Sequence, residues 1–196
     1  MKVTKAQAEA NRARIVETAA EMFRERGYDG VGVVDLMAAA GFTHGGFYRQ
    51  FASKAHLIAE AAACGLAQSA SMTAGVDIPT FIARYVSREH RDTRSKGCTM
   101  AALSGDAARQ PEAVKAEFAE GIERLLIQLT RQRAEAGAAD APPARADALN
   151  TLAHAVGAIV LSRACPDDSA LSNEILASCR EKLLASYGAR PEEAPK

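Results

Sequence analysis

Apolar residues recur along this chain every three or four positions, and no segment alternates apolar and polar residues as a strand would. The pattern predicts an all-α protein of about nine helices. The first runs from about Lys5 to Arg26, with Ile15, Ala19, Met22 and Phe23 on one face and Gly27 where a helix-ending glycine is expected. A short second helix covers about Val33 to Ala40 and stops at Gly41. Thr43 is placed to cap a third, Thr43 to Phe51, and Ser53 to cap a longer fourth that carries Leu57, Ile58 and Leu66. Beyond Gly75, Pro79 opens a helix reaching about Arg91, with Phe81, Ile82, Tyr85 and Val86 as its apolar set. Cys98 to Ala108 reads as helical. Pro111 then opens a long helix to about Ala136, along which Val114, Phe118, Ile122, Leu125, Leu126 and Leu129 recur. The stretch GAADAPP (137–143) is a break. Two amphipathic helices follow, one carrying Leu149, Leu152, Val156, Ile159 and Arg163, the other Leu171, Ile175, Cys179 and Leu183. Residues from Ala189 onward are expected to fray.

Composition narrows this little. The 196 residues suit one domain of ordinary size, or a small domain joined to a larger one, and 48% hydrophobic residues supply a sizeable core. Lys+Arg and Asp+Glu are 24 each, so bulk charge names no partner, although the first 56 residues are slightly basic. No stretch approaches the ~20 apolar residues of a membrane span, and the N-terminus MKVTKAQAEANRAR lacks the apolar core of a signal peptide. A cytoplasmic protein without a membrane partner is expected, with its four cysteines reduced. Their wide, irregular spacing argues against a metal site. A nucleophile elbow, metal-ligand spacing and a phosphate loop are all missing from the sequence, so neither an enzyme nor a cofactor is expected.

One stretch breaks the pattern: GFTHGGFYRQFASK, residues 41–54. Glycine inside a helix costs about 1 kcal/mol against alanine, and Gly45 and Gly46 stand together. The second and third helices are too short to persist alone, and a turn at Gly41 separates them. Two short helices propped by longer neighbours form the helix-turn-helix arrangement, whose second helix enters the DNA major groove. Lacking β-carbons, Gly45 and Gly46 let the backbone lie against a duplex. Thr43 and His44 are placed to reach base edges or phosphates, Tyr48 and Lys54 to donate to phosphates, and Arg49 to reach either. Val33 and Phe47 join this candidate DNA-binding set, Phe47 and Phe51 being also spaced to pack the helix onto its own domain. Arg12 and Arg14 read either as a solvated helix face or as phosphate contacts from the N-terminal arm.

These residues resemble the TetR/AcrR family of bacterial transcriptional regulators. The likeness is carried by Ala19-Ala20-Glu21-Met22-Phe23 with Gly27-Tyr28, then Val33-Val34-Asp35-Leu36 and Ala39-Ala40-Gly41. It continues through Gly45-Gly46-Phe47-Tyr48-Arg49-Gln50-Phe51, Ser53-Lys54 and Leu57. It covers about the first 60 residues strongly; farther on, Gly97-Cys98 and the Ala101–Asp106 helix resemble a subgroup of the family. Two positions depart from the pattern. Val31-Gly32 stands where a hydroxyl residue often opens the second helix, and Gly46 where Thr or Ser is frequent.

The resemblance implies a DNA-binding domain over residues 1–55 and an effector-binding and dimerisation domain over 56–190. The implied function is a homodimeric repressor that a small molecule releases from a palindromic double-stranded operator. Amphipathic position suggests Phe81, Tyr85, Cys98, Met100, Leu103, Phe118 and Ile122 as candidate effector contacts. Leu149, Leu152, Val156, Ile159, Leu171, Ile175, Cys179 and Leu183 would form a four-helix dimer seam. Two alternatives stand beside this: a redox- or electrophile-sensing regulator triggered through Cys98, which follows Gly97 at a helix start, and a helical binding module without DNA binding. His90 and His154 read as ordinary helix histidines.

Overall fold

The computed structural model describes residues 4–71, 75–135 and 144–187. Ten α-helices and two 3-10 turns account for the secondary structure, and there is no strand among the described residues. In order, α1 spans Lys5–Arg26, α2 Val33–Ala39, a 3-10 turn His44–Gly46, α3 Phe47–Gln50 and α4 Lys54–Ser71. Then come α5 Ile78–Tyr85, α6 Arg88–Asp92, a 3-10 turn Arg94–Lys96, α7 Thr99–Ala107, α8 Glu112–Glu135, α9 Ala144–Ala164 and α10 Ala170–Ala185. The expected break at 137–143 and the C-terminal tail lie outside the described residues.

The helix count rises above nine because one expected helix is two. At Val86 the backbone leaves the helical region (φ −88°, ψ 66°). Ser87 then caps α6, its hydroxyl accepting from the His90 N–H at 3.1 Å while donating to the Arg84 carbonyl at 2.7 Å. A serine that satisfies both ends competes with continued helix. Asp77 caps α5 by accepting from the Thr80 N–H at 2.7 Å, one turn's start earlier than Pro79 suggests. At the other correction, the third helix is not uniform. Thr43 occupies the N-cap without a side-chain hydrogen bond, a 3-10 turn covers the glycine pair, and regular helix begins only at Phe47.

The chain divides into two compact units: residues up to Ser69 with Arg94–Gly121, and Ala70–Thr93 with residues from Ile122 onward. Neither ends at residue 55, and α4 crosses that position unbroken. In the first unit, Ile15, Ala19, Ala20 and Phe23 of α1 are buried with Leu36, Met37, Phe47, Phe51, Leu57 and Ile58. Burial of each large side chain among them contributes about 1.5–3 kcal/mol. Gly27 ends α1 with φ 75°, and the next N–H, of Tyr28, donates to the Asp106 carboxylate at 3.3 Å. Buried Arg24 donates to the Ser95 carbonyl at 2.6 Å and to Gln68 and Thr99 at 3.2 and 3.4 Å.

In the second unit α9 and α10 pair through Ser162 and Ser172, whose hydroxyls lie 2.8 Å apart. Arg91, only 2% exposed, donates to the Ser162 and Cys165 carbonyls and pairs with Asp92 and Asp167. Arg163, expected as part of the α9 apolar stripe, instead donates to the carbonyls of His90 and Arg91 at 2.8 and 2.9 Å. His90 is buried, with Nδ1 2.7 Å from the Tyr85 carbonyl oxygen. Burial chiefly, and Arg163 to a smaller degree, hold its imidazole below the ordinary histidine pKa despite that hydrogen bond.

Candidate nucleic-acid interface

Helices α2 and α3 meet at a turn set by Gly41, whose φ is 84°; a residue with a β-carbon adopts that conformation rarely. The Phe42 N–H returns to the Met37 carbonyl at 2.8 Å and the Gly41 N–H to that of Ala38 at 3.0 Å, which closes α2 and turns the chain. Phe47 and Phe51 point inward, both 1% exposed, with rings 5.6 Å apart. That leaves the opposite side of α3 and its leading turn to solvent. Thr43, His44, Gly45, Tyr48 and Arg49 are all exposed there, Tyr48 by 69%. His44 and Phe47 hold the Tyr48 ring edge-on, with centroids 6.1 and 5.1 Å away. Gly46 and Val33 are half-buried.

Two members of the sequence-derived set stand differently. The Phe47 side chain is buried and is a core residue, because its place in the helical period faces Phe51 and the domain interior. Lys54 is half-buried, and its ammonium donates to the Tyr28 carbonyl at 2.6 Å, joining α4 to the end of α1. The sequence left out Val34, 60% exposed at the start of α2. It stands two positions from Leu36, on the opposite side of the helix.

The glycine pair is not required by the protein's own packing. A β-carbon built on Gly45 would meet nothing within 4 Å, and one on Gly46 would make an ordinary 3.6 Å contact with Met37 Cε. Neither has positive φ. The absence of these side chains therefore widens the outer surface of the turn without serving the interior.

The other candidate sets are spread through the chain. Cys98, Met100, Leu103 and Phe118 belong to the first unit and are buried. Phe81, Tyr85 and Ile122 belong to the second, where the Phe81 and Tyr85 rings lie 5.2 Å apart. Cys98 is 1% exposed at the N-cap of α7, and a thiol so far from solvent is ordinarily inert. Of the residues assigned to a dimer seam, Leu152, Ile159 and Leu183 are buried within the subunit, which removes them from an outer face. Leu149 and Leu171 are 44% and 54% exposed, and Val156, Ile175 and Cys179 are half-buried. The three-four stripe chosen from the sequence straddles the boundary between the inward and outward sides of α9. The outward side carries Leu149, Ala153, Val156, Gly157, Val160, Leu161 and Ala164, with Leu161 59% exposed.

A buried three-helix core that presents a short glycine-led helix to solvent defines a helix-turn-helix protein. Residues 15–61 match the sequence model of the family described as bacterial regulatory proteins, tetR family. In fold, the chain is similar to the reduced form of NemR from E. coli (TM-score 0.73, 16% identity, 95% of this chain and 100% of that one). It is likewise similar to a TetR-family regulator from Cytophaga hutchinsonii (0.72, 21%, 98% and 100%). A TetR regulator from Chloroflexus aurantiacus gives 0.70 at 23% identity, over 94% and 98%. No curated protein matches the sequence. The tetR-family sequence model thus matches the N-terminal helices, and the fold of the TetR-family structures extends along nearly the whole chain. Among the described residues, no helix is long and apolar enough to cross a membrane.

Proposed function

We propose that the protein is a homodimeric repressor that binds a palindromic operator through the exposed side of α3 and its leading turn, and leaves it when a small molecule binds. The observation that carries the reading is the segregation along residues 43–51. Every aromatic core residue faces in, while Thr43, His44, Gly45, Tyr48 and Arg49 share one solvent face. Thr43 and His44 then reach base edges or phosphates, Arg49 base or phosphate, and Tyr48 phosphate. Residues 1–55 are the DNA-contacting part. The larger remainder holds the effector and the seam; Met100, Leu103 and Phe118 in the first unit, and separately Phe81, Tyr85 and Ile122 in the second, are apolar candidates for effector contact.

The dimer reading is supported by the outer side of α9, a run of apolar and small residues with no charge among them, together with Leu171 and Ile175 of α10. A second copy of the chain is the occupant, because a two-fold operator needs two recognition helices about one turn (~34 Å) or a multiple apart. Val160→Asp is expected to convert dimer to monomer in sedimentation equilibrium; an unchanged mass at micromolar protein rejects this seam. Release by the effector requires that it favour the DNA-incompetent state, with reciprocal coupling between the two ligands.

The test is a fluorescence-anisotropy titration against the DNA upstream of the protein's own gene, at two salt concentrations and beside a scrambled duplex. Nanomolar binding to the upstream duplex alone, weakening as salt rises, supports a sequence-specific regulator. Equal weak binding to both, with no duplex enriched from a random pool, favours the helical module without DNA binding. The NemR structure, being that of a reduced form, supports testing a second trigger: if oxidant releases DNA from wild type and from Cys98→Ser alike, Cys98 is not the sensor.

A further inference from the structure

Arg12 lies on α1, at a position where the sequence allows either solvent or a phosphate. Its side chain is 32% exposed, and its guanidinium is engaged on the protein itself. Nη1 donates to the Gln50 carbonyl, the last residue of α3. Nε donates to Glu60 Oε2 at 3.2 Å and Nη2 to Glu60 Oε1, a two-pronged pair with α4. The guanidinium carbon stands 4.3 Å from the centroid of the Phe51 ring, at the C-cap of α3. Glu60 also receives His56 Nε2 at 3.1 Å from one turn earlier on α4. One cation thus joins three helices at the C-terminal end of α3.

That end needs fixing. Helix α3 has four residues and a 3-10 turn before it, far short of the length at which a helix holds itself. Phe47 and Phe51 anchor its inner side, but two side chains one turn apart leave the helix able to pivot about their line. A charged donor on its terminal carbonyl removes that freedom, and such a cation also complements the negative end of the helix. A carboxylate on α4 keeps the guanidinium in place with the planar two-bond geometry that arginine permits and lysine does not.

We propose that Arg12, held by Glu60, is a positioning residue for sequence-specific DNA recognition: it sets the pitch of α3 and does not contact phosphate. This rests on the reading of α3 as the DNA-contacting helix. Its consequence is a split between specific and non-specific binding. A lost phosphate contact weakens all duplexes alike and lowers the salt slope by about 0.9; a lost pitch weakens only the duplex whose base edges must be met.

The experiment uses the full chain, a duplex enriched by the wild-type protein from a random pool, and a scrambled duplex, with variants Arg12→Met, Arg12→Lys and Glu60→Gln. Titrations run well below each variant's unfolding temperature. Arg12→Met is expected to weaken binding to the enriched duplex about tenfold, with scrambled-duplex affinity and salt slope unchanged. Arg12→Lys, which retains the charge, is expected not to restore it. Glu60→Gln separates the explanations without touching Arg12. It makes the protein more positive, so bulk electrostatics alone would tighten binding, whereas a loosened Arg12 weakens the enriched duplex. Equal weakening of both duplexes by Arg12→Met with a smaller salt slope, or undiminished enriched-duplex affinity in Glu60→Gln, overturns the proposal. If wild type enriches no duplex at all, it is the DNA-binding reading that has failed, and the positioning role goes with it.

Discussion

Gly45 offers a substitution whose effects on the protein and on its partner have opposite signs. It sits in the 3-10 turn ahead of α3, its φ is not positive, and an added β-carbon would meet nothing within 4 Å. Alanine is therefore free of strain in the folded protein. It also restricts the unfolded chain, which at a compatible position stabilises by about 0.4–1 kcal/mol. Gly45→Ala should raise the midpoint of urea unfolding, followed by far-ultraviolet circular dichroism, with an unchanged slope. If the duplex lies against this backbone, the same methyl group intrudes on a close contact. Overpacking of that kind costs about 1–3 kcal/mol, or about 5- to 150-fold in operator affinity at 1.36 kcal/mol per decade. The anisotropy titration reads it directly. A more stable variant with undiminished affinity would refute the close-approach explanation of the glycine pair. A less stable variant would refute the premise that the fold itself does not need glycine here.

Other substitutions probe the frame. Gly65→Ala should lose about 1–3 kcal/mol in urea unfolding, because its β-carbon would stand 2.5 Å from Thr99 Oγ1 and 2.8 Å from Arg24 Nη1. Gly105→Ala, which meets nothing within 4 Å inside α7, should gain up to about 1 kcal/mol in the same assay. Arg91→Met should lose about 2–4 kcal/mol, since the carbonyls of Ser162 and Cys165 stay behind without its donors. The lowered pKa of His90 makes a pH prediction. The unfolded chain takes up the proton first, so this contribution to stability is complete above the ordinary pKa of 6.5 and is lost as pH falls below it. The thermal midpoint of wild type should fall from pH 7.5 to 5.5 more steeply than that of His90→Asn; parallel profiles refute the assignment. The Thr80 hydrogen bond holds the Asp77 carboxyl below its ordinary range and, against its burial, that of Asp92 is held there by Arg91 and Arg88. Both contributions are complete across this window and are lost only in more acidic solution.

What the sequence disclosed and what it hid divide along physical lines. Helix α1 was legible because an apolar stripe runs up to Gly27, which ends it; Thr4, whose hydroxyl caps its start by accepting from the Gln7 N–H, had not been singled out. The break at Val86 was hidden. Phe81, Ile82, Tyr85 and Val86 keep helical spacing up to it, and only Ser87, whose hydroxyl bonds the Arg84 carbonyl and the His90 N–H together, stops the helix. The exposed face of α3 followed from the glycine pair and the aromatic spacing, yet Phe47 was drawn into it because proximity in sequence to Tyr48 says nothing about direction. On α9 the period alone could not separate Ile159, fully buried, from Val160, 44% exposed, since residues 155–161 are apolar or small on every side. Arg12 marks the limit most clearly. Its partners are 38 and 48 residues away, and an arginine on a helix surface looks the same in sequence whether it faces a phosphate or a carboxylate. Charge counting would assign it to the DNA. The geometry gives its charge to Glu60 and its remaining reach to the end of α3, which is why the proposed role is to shape the reading surface and not to meet a phosphate.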